Sequence, residues 1–386
     1  MRPLHELVRK HILSLTPYSS ARSEYPTHGS TVATTLATIF LDANENAFGS
    51  PNGMHINRYP DPLQTVLKRK IVEVKGLPSE YEHRIFLGNG SDEPIDLLMR
   101  IFCEPCTYDT TGAQQAGDEI IITPPTYGMY DVSAAIHHVA VRHVPLVRSI
   151  TGKHGIFVLD ADAVLAARTP RTKLIMLCSP NNPTGNVLEK HAVMRIIEHF
   201  DGIVVLDEAY IDFAPEHSFL PMLAEFPNLV ILQTLSKAWG MAALRLGMAF
   251  ADTAIIRLLN AVKPPYNVNL LTQEAACKAL DNQTWYARVV HDTIRERERI
   301  VRELTELESV ECVFASNANF VLVRISCAHW MYEQLVQRGI IVRDRSRAVL
   351  CEDCLRITVG TPEENAQLLR ALRELQAEYR PEKVAV

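Results

Sequence analysis

Four short and almost entirely apolar runs recur between residues 119 and 232, and they constrain the fold more strongly than any other feature. They are EIIIT (119–123), KLIMLC (173–178), IVVL (203–206) and LVIL (229–232). Strands this apolar are buried on both faces, which is typical of a parallel sheet covered by helices. Helix-like stretches separate the runs, so we predict an α/β fold with a mostly parallel central sheet. Ligands of such sheets bind outside the carboxyl ends of the strands.

The chain beyond about residue 285 has a different pattern, in which helices and strands follow a mixed order. Helices are predicted over 288–308, 328–338 and 362–379, and strands over 319–323 (NFVLV) and 355–359 (LRITV). Such an order is typical of a small α+β domain. We predict a large domain over 50–268, and a smaller unit that combines an N-terminal arm (1–49) with a C-terminal α+β domain (269–386). The polar stretch 107–117 is predicted to be a surface loop.

Length and charge argue against several classes of protein. The chain has 386 residues, enough for two domains, and its net charge of −6 is not that of a nucleic-acid-binding protein. It contains no run of eighteen apolar residues, so we expect no membrane span. The N-terminus lacks the apolar core of a signal peptide. We therefore expect a cytoplasmic protein with reduced cysteines.

Two C-x-x-C pairs occur among the eight cysteines, Cys103 with Cys106 and Cys351 with Cys354. Two such pairs can form a structural zinc site. About 245 residues separate them here, whereas zinc ribbons have a gap of under roughly thirty. We therefore expect ordinary thiols and no bound metal.

Polar and small residues follow the apolar runs, where a site at the strand ends requires them. In GNGSDE (88–93), Gly90 permits a tight turn before an apolar helix. Ser91 and Asp92 can cap that helix, and the free N–H groups at its start form an anion site. On this motif alone, an ordinary capped helix is the alternative.

Lys237 follows the fourth apolar run, in TLSKAWGMAALRLG (234–247). Lysines rarely occupy such a position without a partner. Partial burial lowers the pKa of a lysine, so that its free amine can attack carbonyl groups. Ser236 and Arg245 supply a hydroxyl and a permanent cation, which suit a phosphate.

Two further motifs follow the second and third runs, SPNNPTG (179–185) and DEAY (207–210). The prolines and glycine of the first hold a turn that orients Asn181 and Asn182. Asp207 of the second is costly at the end of a buried strand unless it is paired or functional. A plain loop and a helix-capping aspartate are the alternatives.

Taken together and in this order, the motifs resemble those of the fold-type I pyridoxal-phosphate-dependent enzymes over nearly the whole chain. The resemblance implies that pyridoxal 5′-phosphate is the cofactor. It implies that Lys237 forms the internal Schiff base and moves the proton between the substrate Cα and the cofactor C4′. Asp207 would then pair with the pyridinium nitrogen. The remaining implied cofactor contacts are Asn182 and Tyr210 with the phenolate oxygen, Tyr127 of PPTYGMY (124–130) with the ring, and Ser91, Asp92, Ser236 and Arg245 with the phosphate.

On the substrate side, LRITVG (355–360) resembles the aminotransferase segment whose arginine binds the substrate α-carboxylate. Arg356 therefore has this implied role, for which a guanidinium fork is suited. A strand-edge arginine is the alternative.

More specific motifs resemble the histidinol-phosphate aminotransferases. They are LTPYSSAR (15–22) with Tyr18, LDANEN (41–46) with Asn46, NRYPD (57–61) with Tyr59, PPYNVN (264–269) with Asn267, and GIIVR (339–343) with Arg343. The resemblance implies that Tyr59 reaches the cofactor phosphate of the neighbouring subunit of a homodimer. It also implies that Arg343 and Tyr18 bind the substrate phosphate and that Asn46 and Asn267 line the substrate region. Arg345 and Arg347 follow Arg343 closely, which leaves open the arginine that meets the phosphate.

The implied reaction is a ping-pong transfer of an amino group from L-histidinol phosphate to 2-oxoglutarate, giving imidazole-acetol phosphate and L-glutamate. Both substrates share one site, so Arg343 would take either the phosphate or the side-chain carboxylate of glutamate. Two alternatives use the same scaffold, an aromatic aminotransferase and a phospho-amino-acid decarboxylase. A third is a non-catalytic regulator that binds the cofactor, although such a protein has no need of Lys237.

Overall fold

We describe the fold from a computed structural model, which covers residues 2–18 and 39–378. The strands are β1 Ile85–Asn89, β2 Thr107–Tyr108, β3 Gln114–Gln115, β4 Glu119–Ile122, β5 Ala140–His143, β6 Val147–Thr151, β7 His154–Val158, β8 Thr172–Cys178, β9 Ile203–Asp207, β10 Leu229–Thr234, β11 Leu246–Ala251, β12 Val310–Phe314, β13 Phe320–Ile325, β14 Arg343–Asp344 and β15 Cys354–Thr358. The helices are α1 Leu4–Leu7, α2 Lys10–Leu13, α3 Thr65–Val74, α4 Asp92–Phe102, α5 Met129–Ile136, α6 Ala161–Ala167, α7 Lys190–His199, α8 Thr253–Val262, α9 Leu270–Leu280, α10 Gln283–Thr305, α11 Ala328–Gln337 and α12 Pro362–Glu378.

The larger sheet has seven strands in the order β1-β11-β10-β9-β8-β4-β5. The five strands from β10 to β5 are parallel, and β11 alone runs antiparallel to its neighbours. The four apolar runs form β4, β8, β9 and β10 at its centre. The predicted α/β fold with a mostly parallel sheet is therefore confirmed.

Helices cover both faces of this sheet, because alternate side chains of each strand point to opposite sides. On one face, residues such as Ile175 and Val204 pack with α3 and α7. On the other, their neighbours Met176 and Val205 pack with α4, α5 and α8. This two-sided burial explains why the strands are apolar throughout rather than alternating.

The second sheet has six strands in the order β14-β15-β13-β12-β7-β6. Residues of α10, α11 and α12 form a core against it. Strands β6 and β7 come from residues 147–158, between strands of the larger sheet, so the two sheets do not divide the chain at a single point. The stretch 107–117, predicted to be a surface loop, contains β2 and β3, which pair as a short exposed hairpin.

The described ranges contain neither a membrane-spanning helix nor a cluster of metal ligands. None of the helices in residues 2–18 and 39–378 is long and apolar enough to cross a membrane. The same residues contain no group of three or more His, Cys, Asp or Glu side chains placed to hold a metal ion. All eight cysteines are free thiols.

Candidate active site

A cavity of about 420 Å³ opens at the carboxyl ends of β8, β9 and β10. Parallel strands bring the residues that follow them to one edge of the sheet, which is where ligands of such folds bind. The N-terminus of α4 forms one side of the cavity and the β14–β15 hairpin another. It is lined by Gly90, Ser91, Asp92, Tyr127, Cys178, Asn182, Asp207, Ala209, Tyr210, Thr234, Ser236, Lys237, Ala242, Arg245, Arg343, Arg345 and Arg356.

One end of the cavity is suited to an anion. The backbone of Gly90 has a φ of +75°, and a Cβ there would lie 2.6 Å from a guanidinium nitrogen of Arg245. Glycine thus permits the turn and leaves room for the arginine. Ser91 makes no capping hydrogen bond with its side chain, so the capped-helix alternative is not met at this residue. Ser91 and Asp92 at the start of α4 and Ser236 line the same cavity, and the free N–H groups of a helix N-terminus can bind a phosphate.

Asp92 connects this end to the neighbouring aromatic side chain. Its carboxylate accepts hydrogen bonds from the Tyr127 hydroxyl (3.0 Å) and from Arg245 Nη2 (3.2 Å). Burial, and then the charge of Asp92, raises the pKa of Tyr127. Tyr127 therefore stays neutral, and these two bonds hold its ring and the Arg245 guanidinium at the cavity wall.

The centre of the cavity holds Asp207 at the end of β9. This carboxylate is 2% exposed and accepts hydrogen bonds from the Tyr130 hydroxyl (2.8 Å) and the Ala209 N–H (3.0 Å). Burial raises the pKa of Asp207 to about 6, against the effect of these two bonds. A buried acid of this kind gains most from a cationic partner.

Lys237 lies in the turn that follows β10. The Ser236 N–H donates to Thr234 Oγ1 (3.1 Å) and the Gly240 N–H donates to the Lys237 carbonyl (3.0 Å), which fixes the turn. Partial burial, followed by the charge of Arg356, lowers the pKa of Lys237. A larger share of this amine is therefore unprotonated and able to act as a nucleophile or a base.

Asn182 and Tyr210 face each other across the cavity, with 3.4 Å between Asn182 Nδ2 and the Tyr210 hydroxyl. Asn182 Oδ1 accepts a hydrogen bond from Arg356 Nη1 (2.5 Å). The neighbouring Asn181 has a different role, because its amide donates to the Pro125 carbonyl and to Thr184 Oγ1, both at 2.8 Å. Asn181 therefore holds the turn together, while Asn182 faces the cavity.

Three arginines of the second sheet complete the lining. Arg343 on β14 lies directly opposite Arg356 on β15, and Arg345 follows two residues later. None of the three forms an ion pair within the described residues. Burial lowers the pKa of both Arg345 and Arg356. This part of the cavity is therefore strongly positive and suited to anionic groups.

Four of the predicted site residues lie away from the lining. Tyr59 is half-exposed and stacks on Tyr266, with ring centroids 4.4 Å apart, beside a separate cavity. Tyr18 is 71% exposed. Asn46 Oδ1 accepts a hydrogen bond from the Phe48 N–H.

Asn267 is held behind β1, where its amide donates to the Leu87 carbonyl (2.9 Å) and to Glu93. Residues 19–22 of the predicted N-terminal motif lie outside the described part of the chain.

Tyr130 and Cys178 belong to the site but are not among the predicted site residues. Tyr130, which bonds Asp207, is fully buried in α5 and has the sequence pattern of a core aromatic. Its position within PPTYGMY is the only signal that links it to the site. Cys178, the last residue of an apolar run, gives no signal of this kind.

The groups around the cavity fit pyridoxal phosphate by their chemistry. Asp207 needs a cation, which the protonated ring nitrogen would supply, and Asn182 with Tyr210 offers donors to a phenolate oxygen. Gly90 leaves room beside Arg245 for an anion at the α4 N-terminus. Lys237 supplies the amine for the aldehyde. All four requirements are met within one cavity.

The chain is similar to known proteins that agree with this interpretation of the cavity. Residues 24–372 match the model of the aminotransferase class I and II family. A histidinol-phosphate aminotransferase of Cytophaga hutchinsonii is 49% identical over 96% of this chain and 98% of its own length. One from Parabacteroides distasonis is 47% identical over 97% and 100%. The solved structure of a histidinol-phosphate aminotransferase from Sinorhizobium meliloti in complex with pyridoxal-5′-phosphate has a similar fold, with a TM-score of 0.71 at 23% identity, over 87% of this chain and 90% of that one.

Proposed function

The chain belongs to the class I and II aminotransferase family, and from this premise we propose that it is a histidinol-phosphate aminotransferase of histidine biosynthesis. It transfers the amino group of L-histidinol phosphate to 2-oxoglutarate, giving imidazole-acetol phosphate and L-glutamate. Relatives that share almost half of its residues over nearly their full length carry this name. The observation that carries the proposal is a cluster of three arginines in the cavity of Lys237 and Asp207, none of which pairs with an acid among residues 2–18 and 39–378.

Lys237 and Asp207 divide the chemistry between them. When bound, pyridoxal phosphate supplies an electron sink that stabilises negative charge at the substrate Cα. Lys237, with its lowered pKa, takes the proton from the substrate Cα and delivers it to C4′ of the cofactor. Asp207 keeps the ring nitrogen protonated, and Tyr130 and Ala209 hold its carboxylate in place. Asn182 and Tyr210 orient the ring through its phenolate oxygen.

The substrate-binding residues are part of the proposal. Arg356 binds the α-carboxylate of glutamate, and Arg343 binds either its side-chain carboxylate or the phosphate of histidinol phosphate. Tyr18, Asn46 and Asn267 support this region less directly.

The assembly and location are likewise proposed. The protein is a cytoplasmic homodimer, and the half-exposed Tyr59 reaches the cofactor phosphate of the partner subunit. A division into a large domain (50–268) and a smaller unit (1–49 with 269–386) belongs to the same proposal.

The half-reaction provides the test. L-histidinol phosphate is added without any oxo acid to protein loaded with pyridoxal phosphate. We expect the absorbance of the pyridoxal form to fall, that of the pyridoxamine form to rise, and one imidazole-acetol phosphate to be released per site. Adding 2-oxoglutarate should restore the pyridoxal form and yield glutamate, because the mechanism is ping-pong.

Comparison substrates separate the alternatives. Aromatic amino acids should convert the cofactor at least about 100-fold more slowly, because a site built for a phosphate leaves its donors unpaired without one. Faster conversion by an aromatic amino acid, or release of carbon dioxide from O-phosphothreonine, would contradict the proposal. So would the absence of a bound-cofactor absorbance band.

A further inference from the structure

The β14–β15 hairpin arranges its charged side chains by strand geometry. Arg343 lies opposite Arg356, and Asp344 lies opposite Leu355. The Arg345 N–H donates to the Cys354 carbonyl (2.8 Å), which continues the pairing by one residue. Residues two apart on a strand share a face. Arg345 is therefore on the face of Arg343 and Arg356.

The residue between the two arginines points the other way. Asp344 accepts hydrogen bonds from the Ser346 N–H (2.8 Å) and pairs with His329 Nδ1 (3.1 Å). It is thus engaged by a neighbouring helix and does not line the cavity. The nearest carboxylate in the sequence is therefore not the partner of either arginine.

Arg347 is separated from this face by a turn. The Ala348 N–H donates to the Arg345 carbonyl (2.8 Å), which reverses the chain after Arg345. Arg347 is exposed and is absent from the cavity lining, whereas Arg345 is half-buried and part of it. Of the two additional arginines in this loop, only Arg345 can contact a substrate within its own chain.

The charges on this face are unbalanced. Like charges directly opposite each other on paired strands are destabilising, and here a third cation lies beside them. The Nε atoms of Arg345 and Arg356 are buried and have no hydrogen-bond acceptor within the described residues. Burial, and then the charges of Arg356 and Arg343, lowers the pKa of Arg345. An arrangement of this kind is stabilised when an anion arrives.

We propose that Arg345 binds the substrate phosphate together with Arg343, so that two guanidiniums share one phosphate while Arg356 is kept for a carboxylate. A phosphate monoester carries close to two negative charges at neutral pH, and two arginines match it. The side-chain carboxylate of glutamate carries one charge, for which Arg343 is sufficient. The inference rests on the proposed function, since it assumes a phosphorylated substrate.

The kinetic test compares Arg345→Gln with Arg347→Gln in protein loaded with pyridoxal phosphate. The ratio of kcat/KM for histidinol phosphate to kcat/KM for histidinol measures what the phosphate contributes. Arg345→Gln should lower this ratio by about 10- to 100-fold, as expected for the loss of a charge-assisted hydrogen bond. Arg347→Gln should leave it unchanged. An unchanged ratio in Arg345→Gln, or equal losses with both substrates, would overturn the inference.

A binding measurement separates this inference from the proposed function. Inorganic phosphate is titrated by calorimetry into each variant loaded with pyridoxal phosphate. The dissociation constant should be about tenfold larger for Arg345→Gln than for Arg347→Gln. If phosphate binds equally well to both variants, the inference is wrong even where histidinol phosphate is a good substrate. If phosphate binding weakens as expected but histidinol phosphate is not converted, the anion site stands and the proposed reaction fails.

A second variant covers the case in which Arg345→Gln does not fold. Arg345→Lys keeps the charge but loses the planar fork that binds two oxygens at once. It should weaken phosphate binding about three- to tenfold, again measured against Arg347→Gln. Binding as tight as in the unmodified protein would overturn the inference in this variant too.

Discussion

The cavity has two walls that differ in charge: one carries both acidic and basic side chains, and the other carries three arginines. The cofactor wall consists of Asp92, Tyr127, Asp207, Lys237 and Arg245, and it contains both acidic and basic side chains. Asp92 accepts hydrogen bonds from Tyr127 and Arg245, and Asp207 is held by hydrogen bonds from residues behind it. Arg245 is therefore paired within the chain, and the Asp207 carboxylate is fixed in position with its negative charge directed at a cationic partner.

The substrate wall consists of Arg343, Arg345 and Arg356. It carries three positive charges on one face of a hairpin, with no ion pair to any of them in the described part of the chain. A wall whose side chains are held by hydrogen bonds from the chain is preorganised for a group that stays bound, whereas a wall of three cations favours anions that bind and leave in each turnover. Changes in the cofactor wall should thus slow both half-reactions equally, and changes in the substrate wall should separate them.

The largest effect is expected for Lys237→Ala, which removes the base that both half-reactions share. Without the amine, proton transfer at the substrate Cα should slow by about 10⁴-fold. Single-turnover absorbance measurements, with histidinol phosphate and then with glutamate, should show the same loss. The exposed Lys278 offers a matched control, since Lys278→Ala should leave both rates unchanged. If either half-reaction kept its rate in Lys237→Ala, Lys237 would not be the base shared by both half-reactions, and the contrast between the two walls would be wrong.

The cofactor wall is also the part of the site that local sequence patterns describe best. Lys237, Asp207 and Asn182 each stand in a contiguous motif directly after an apolar run, so a buried strand followed by a polar turn places them at the sheet edge. The four strands β4, β8, β9 and β10 were predictable from the same apolar runs. Their order was not, because pairing between distant segments such as β1 and β11 leaves no local pattern.

The substrate wall depends on features that local patterns cannot supply. Arg345 and Arg347 look equivalent in the sequence, and only the register of β14 on β15 and the turn at Ala348 distinguish them. The role of Tyr130 has no local sequence pattern either, because its hydrogen bond to Asp207 joins residues 77 positions apart.

A smaller but equal loss in both half-reactions is expected for Asp207→Asn. Without the carboxylate, the ring nitrogen loses its counter-charge, and both rates should fall by about 10²- to 10³-fold. Glu208→Gln is a matched control one residue later. Glu208 is equally buried, but it is bonded by Ser218, Phe219 and Gln233 away from the cavity, so both rates should remain within about threefold of the original.

Asp207→Asn should also raise the free energy of unfolding of the cofactor-free protein at neutral pH. Burial raises the pKa of Asp207 to about 6, above that of the unfolded chain, so the folded state binds its proton more tightly. The free energy of unfolding therefore falls as pH rises from about 4 to about 6, and the loss persists at pH 7. Asp207→Asn should recover on the order of 1–3 kcal/mol at pH 7.5 and nothing below pH 4. Denaturant unfolding at both pH values measures this. Equal stabilities at pH 7.5 would show that the ionised carboxylate is not penalised.

The smallest of these effects, and the one that separates the two walls, is expected for Arg356→Gln. Because Arg356 is proposed to bind the α-carboxylate of glutamate, kcat/KM for glutamate should fall by about 10- to 100-fold, the equivalent of one charge-assisted hydrogen bond. Histidinol phosphate has no carboxylate and does not depend on this contact. The histidinol-phosphate half-reaction should change by less than about threefold. Removing Arg356 also relieves its repulsion with Arg343, so the variant should be more stable by a few tenths of a kcal/mol in thermal unfolding. Equal losses in the two half-reactions would mean that Arg356 acts through Asn182, and that the substrate wall cannot be separated from the cofactor wall.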